Sequence, residues 1–266
     1  MRSRLAFFAS ILCALAGCAV GGDTRPNGLS YFLTADPASL DPAASNDVQS
    51  GEMVALLFDN LVQFDVDAGL VPGLATRWSA DATGTVYTFH LRAGAKFHDG
   101  RAVTARVVRA SMLRALAPGS GAARVWPLLP IEGAREYAAG SATSVPGISV
   151  PDDSTVVFTL TQPLNIFPKL LAMPVAAIVP APTPAGFDQA PVGSGPWRFV
   201  SWSHDDELVL ARNASYWGAV PKEDSLTVRI IPEALTQAAE YETGNLDVVE
   251  IPFGETSRWE LAHPDE

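Results

Sequence analysis

Leu74 to Leu116 reads LATRWSADATGTVYTFHLRAGAKFHDGRAVTARVVRASMLRAL, and its order of elements decides the fold. Tyr87, Phe89 and Leu91 alternate with Thr88, His90 and Arg92, the period of a strand with one buried face. Asp99-Gly100 supplies a turn. Thr104 is placed to cap a helix whose apolar face is Val108, Met112, Ala115 and Leu116. The stretch therefore predicts strand, tight turn and helix in succession.

Upstream, Gly28 to Thr34 carries Leu29, Tyr31 and Leu33 on one face of a strand, and Ala35 to Pro42 is a loop with two Asp-Pro steps. Val54, Leu57, Phe58 and Leu61 predict a helix, followed by a strand from Val62 to Val66 and a turn at Asp67-Ala68-Gly69. Asp65 and Asp67 lack the remaining oxygen ligands of a calcium loop and read as turn residues. Downstream, Val156, Phe158 and Leu160 mark a strand, Leu164 to Met173 an apolar helix, and the proline-rich Pro174 to Pro191 a boundary. Val192 to Asn213 reads as two strands around His204-Asp205-Asp206. A strand at Leu226, Val228 and Ile230, a helix from Glu233 to Thr243 and a strand from Leu246 to Ile251 complete the series.

The N-terminus has the texture of a bacterial lipoprotein signal: Arg2 and Arg4, an apolar run from Leu5 to Leu15, and Leu15-Ala16-Gly17-Cys18 as a lipobox. An ordinary signal peptide that happens to end at a cysteine is the alternative. On the first reading residues 1–17 are removed and Cys18 carries the lipid, with 18–27 as a tether. The only other cysteine, Cys13, lies in the apolar run, so the mature chain has neither disulfide nor cysteine-based metal site and depends on its core. Without Arg2 and Arg4 there remain 16 basic against 29 acidic side chains, a formal charge of −13. Such a surface is a poor partner for nucleic acid.

Trp78, YTFHLR (87–92), KFHDG (96–100) and Thr104-Ala105 together resemble the signature of the extracytoplasmic solute-binding proteins of family 5, the dipeptide/oligopeptide receptors of ABC importers. Gly193, Gly195, Pro196 and Trp197, then Arg212-Asn213 and Tyr216-Trp217-Gly218, match a second block of that family in the same order. One departure is Val107, where the family has an acid that completes a capping box; its absence is expected to cost about 0.5–1 kcal/mol.

The resemblance implies an α/β, periplasmic-binding-protein-like fold of class II, peptide-binding type, with mixed sheets. Lobe I would comprise residues 28–62 and 187–266, and lobe II residues 63–186. Family members are usually about twice as long, so a third lobe is expected to be missing, and one cleft wall alone binds its solute weakly or not at all. The ligand-facing segments implied are Asp36, Pro37, Ala38 and Ser39, and Glu250, Ile251 and Pro252. Partners would be a peptide or another small solute (relatives carry nickel chelates, haem, opines and sugars), ABC permease subunits, and the outer face of a membrane through the lipid. The chain is expected to be monomeric, extracytoplasmic and without a cofactor.

Catalytic readings find little support. Gly193-Ser194-Gly195 lacks the glycine spacing of a nucleophile elbow. His90 and His98 find no third metal ligand at usable spacing. Asn213-Ala214-Ser215 matches a glycosylation acceptor and reads as part of a turn, while Trp78, Trp197, Trp202 and Trp217 read as core. A non-transporting interaction lipoprotein, or a hydrolase, remain as alternatives.

Overall fold

The computed structural model describes residues 27–262 apart from Ala123; the signal, lipobox and most of the tether, with Cys18, lie outside the described residues. In chain order the elements are β1 (Gly28–Leu33), α1 (Val48–Leu57), β2 (Val62–Phe64), β3 (Leu70–Pro72), β4 (Ala75–Ala80), β5 (Val86–Leu91), α2 (Ala105–Leu116), α3 (Ala134–Ala138), β6 (Ile148–Asp152) and β7 (Thr155–Thr159). There follow α4 (Phe167–Leu170), β8 (Trp197–Ser203), β9 (Glu207–Arg212), β10 (Ser225–Ile230), α5 (Ala234–Glu242) and α6 (Thr256–Ala262).

Two four-stranded sheets, beside a two-stranded β2-β3 ladder, organise these elements. One has the order β1-β10-β9-β8, with β1 parallel to β10 and the other neighbours antiparallel; the second is the antiparallel β4-β5-β7-β6. Each sheet supports its own core. Phe89, Phe158 and Phe167 centre the core that runs from Leu61 to Ile178, whereas Leu33, Met53, Leu57, Phe58, Trp197 and Leu210 belong to the core on β1 and β8 to β10. The chain thus leaves the core on β1 and β8 to β10 after Phe58 and returns to it at Ala177.

The alternation read in the sequence is realised in β5, where Tyr87 and Phe89 are buried. Thr104 caps α2, its hydroxyl accepting from Val107 N, and Val108, Met112, Ala115 and Leu116 are buried. Val107 itself packs half-buried against the core, so the apolar contact offsets part of the lost capping box.

Three expectations need correction. The first helix stops at Leu57 rather than running to Leu61, because Phe58 is extended and Gly195 N takes the Leu57 carbonyl at 3.0 Å. Leu164 to Met173 is helical only over Phe167–Leu170, since Pro168 is accommodated only in a first turn and Pro174 follows. Leu246 to Ile251 does not form a strand: Asp247 N donates to Ser30 O at 3.0 Å, but the Asp247 carboxylate, not a backbone carbonyl, accepts from Ser30 N at 2.6 Å. A side chain in place of a ladder carbonyl ends the pairing.

Candidate functional site

The motif residues scattered along the sequence converge on Asp59, the residue at which the chain passes between the cores. Asp59 is 1% exposed and accepts from Ser194 Oγ at 3.0 Å, Tyr216 Oη at 2.8 Å, Trp217 Nε1 at 2.8 Å and Gln63 Nε2 at 3.1 Å. Burial pushes its carboxyl up to about 6; the donated bonds and the Arg92 guanidinium act in the opposite sense. Arg92 lies over the Trp217 ring at 3.5 Å, a cation–π contact, and its Nε donates to Gly73 O.

His98 closes the same junction from the other side. Gly193 N donates to Nδ1 at 3.2 Å and Nε2 meets Gly195 O at 3.1 Å, an arrangement met by a neutral ring protonated on Nε2. Burial lowers its pKa to about 4. Asn213 Nδ2 also donates to Gly195 O, at 2.9 Å, and Ser215 N turns back onto Asn213 Oδ1, so this Asn-Ala-Ser is a buried turn. Each of these groups is satisfied by another protein group, which leaves this junction a structural joint.

Asp36 does not stand free on its loop. Trp202 Nε1 donates to one oxygen at 2.9 Å and His204 Nδ1 lies 2.7 Å from the other, tying the loop to the β8–β9 hairpin. Pro37 is buried, Ala38 is exposed, and Ser39 is half-buried, its Oγ accepting from Asp41 N. Asp41 forms a two-pronged ion pair with Arg114 of α2, so a loop of one core is fixed to a helix of the other. Glu250 and Ile251 are exposed and Pro252 half-buried; Glu250 lies near enough to Tyr31, with Glu52, to help raise the phenol pKa, burial being the larger cause. Asp36 thus follows the end of β1, and Glu250 lies near Tyr31 within that strand.

A concavity lies at the start of α1 and was not foreseen from the sequence. Ser45 and Asp47, at the start of α1, face Arg124 and Met173, Pro174 and Val175 across a crevice of about 50 Å³. Asp47 caps α1 by accepting from Ser50 N at 2.7 Å and Ser50 Oγ at 2.7 Å. Among the described residues no cluster of three or more His, Cys, Asp or Glu could hold a metal ion, and no helix is long and apolar enough to cross a membrane.

Residues 69–263 match the family model described as bacterial extracellular solute-binding proteins, family 5 Middle. The glutathione-binding protein GsiB of Pectobacterium atrosepticum is 34% identical over 224 residues, which are 81% of this chain and 40% of that protein. The probable D,D-dipeptide-binding periplasmic protein DdpA of Escherichia coli is 33% identical over 230 residues, 81% of this chain and 42% of its own length. The solved murein tripeptide binding protein MppA of Escherichia coli superposes with a TM-score of 0.83 at 26% identity, covering 90% of this chain and 48% of that one. The chain spans less than half the length of these relatives.

Proposed function

The chain belongs to the bacterial extracellular solute-binding proteins of family 5, and from that membership we propose that it is the solute-capturing component of an ABC importer, taking peptides or similar small solutes. The observation that carries this reading is the 34% identity with GsiB over 81% of the chain. The compared proteins are named for glutathione, a D,D-dipeptide and a murein tripeptide, which favours a short peptide as the solute.

The capture surface is assigned to the end of β1, with Asp36 to Ser39 on one side and Glu250 to Pro252 on the other. Asp36 acts there as a brace for Trp202 and His204. Lobe I takes the core that the chain leaves after Phe58 and rejoins at Ala177, and lobe II the core between Leu61 and Ile178, so the crossings fall earlier than residues 62 and 187. Cys18 serves as the lipid attachment that keeps the receptor at the outer face of the membrane, beside the permease subunits to which it delivers. The function ends at capture and delivery, with no bond made or broken.

Small-ligand sites bury about 70–90% of the ligand, more than one exposed wall provides. The span described here therefore binds peptide weakly by itself. Calorimetric titration with di- to pentapeptides and glutathione is expected to show no micromolar binding, and micromolar binding would overturn this part. Solute uptake by a strain deleted for the reading frame tests the transport role, and turnover of an ester and peptide panel would instead indicate a hydrolase.

A further inference from the structure

The face of α2 turned toward β6 carries a second polar concavity, remote in sequence from the segments assigned above. Arg106 and Arg109, one turn apart on α2, and Ile148, Ser149 and Val150 of β6 line a groove of about 450 Å³. β6 is an edge strand of its sheet. No carboxylate is among these lining residues.

The two guanidinium groups are differently committed. Arg106 Nε donates to Asp153 Oδ1 at 2.9 Å, an exposed pair that water screens. Arg109 is half-buried and has no acceptor among the described residues. The exposed Ser149 hydroxyl likewise has no side-chain partner among them. In a chain whose formal charge is −11, a groove presenting two cations and an idle hydroxyl donor departs from its surroundings. Half-buried Val150 adds an apolar flank, over the core residue Ile148.

We propose that this groove binds a small organic oxyanion, a carboxylate or a phosphate, with Arg109 as its principal ligand and Arg106 and Ser149 as supporting donors. The planar guanidinium fork matches either anion with two parallel hydrogen bonds. The apolar flank accommodates the organic body. Asp153 competes with the ligand for Arg106. The site is independent of the capture surface on β1.

The test is titration of the protein with inorganic phosphate, phenyl phosphate and benzoate against sodium chloride of matched ionic strength, followed by calorimetry and by the arginine Nε–Hε signals in ¹H–¹⁵N spectra. Saturable shifts at Arg109 are expected, stronger for an organic anion than for inorganic phosphate, and the preferred headgroup distinguishes carboxylate from phosphate. Arg109→Ala should weaken binding by about 10- to 100-fold, the worth of a charge-assisted pair. Asp153→Asn should tighten it by freeing Arg106, and Arg198→Ala on β8 should leave it unchanged. Shifts that follow ionic strength alone, or equal binding by Arg109→Ala, would overturn the assignment.

Discussion

Gly193 sits so close to the end of α1 that a Cβ on it would stand 1.7 Å from the Leu57 carbonyl oxygen. The glycine is required by proximity: the returning chain has to touch the helix terminus for Gly195 N to take the Leu57 carbonyl and Ser194 to reach Asp59. Gly193→Ala should therefore cost about 3 kcal/mol or more, at the upper end of overpacking effects, read as a lowered urea midpoint. Gly51, inside α1 with its nearest neighbour 3.9 Å from the same virtual atom, is the control. Gly51→Ala should be neutral or stabilise by about 0.5–1 kcal/mol. Equal effects of the two substitutions would contradict the close-contact account.

Asp59 and His98 give stability opposite dependences on pH. The Asp59 carboxyl titrates at about 6 in the fold, above its ordinary 3.8, so the folded chain holds the extra proton between those values. Its contribution is full at acid pH and falls by about 3 kcal/mol as pH rises through 6. His98 titrates at about 4, below its ordinary 6.5, so there the unfolded chain holds the extra proton. Its contribution is present above 6.5 and falls by about 3 kcal/mol as pH drops through 4. Between pH 4 and 6 the two slopes oppose. Asp59→Asn should make stability climb with pH across this window, and His98→Gln should make it decline. Urea unfolding at several pH values checks this, and parallel slopes in parent and both variants would contradict it.

Arg114 and Asp41 join the two cores, with side chains only 29% and 13% exposed. Such a pair lies between screened surface pairs and buried ones whose rupture costs about 3–5 kcal/mol. A double-mutant cycle with Arg114→Met and Asp41→Asn should give a coupling of about 1–3 kcal/mol. Coupling near zero would mean that the ion pair does not hold the cores together.

Val107 offers a smaller test. Val107→Glu restores the capping box with Thr104, worth about 0.5–1 kcal/mol, but removes apolar surface from the α2 packing. The net change should stay within about 0.5 kcal/mol of zero by urea unfolding. A gain near 1 kcal/mol would show that Val107 packs for little.

The elements of β5 and α2 were legible because their signals are local: a period of two, a capping threonine, a helical apolar stripe. The junction was not. Asp59 follows an apolar helical pattern that nominally continues to Leu61, and its partners Ser194, Tyr216 and Trp217 are 135, 157 and 158 positions away. The bracing of Asp36 was hidden for the same reason, since its donors lie 166 and 168 residues downstream. The strand expected at Leu246 to Ile251 failed on one side chain: alternation does not reveal that the Asp247 carboxylate occupies Ser30 N. The crevice lined by Ser45, Asp47, Arg124 and Met173 to Val175 carries no sequence periodicity, because its walls are distant in sequence.

Solute capture for transport is measured by uptake in cells. A strain deleted for the reading frame, and the same strain carrying it on a plasmid, are supplied with labelled glutathione and with di-, tri- and tetrapeptides. Uptake of at least one of these solutes is expected to be lost on deletion and restored by the plasmid. Unchanged uptake of every solute in the deleted strain would contradict it.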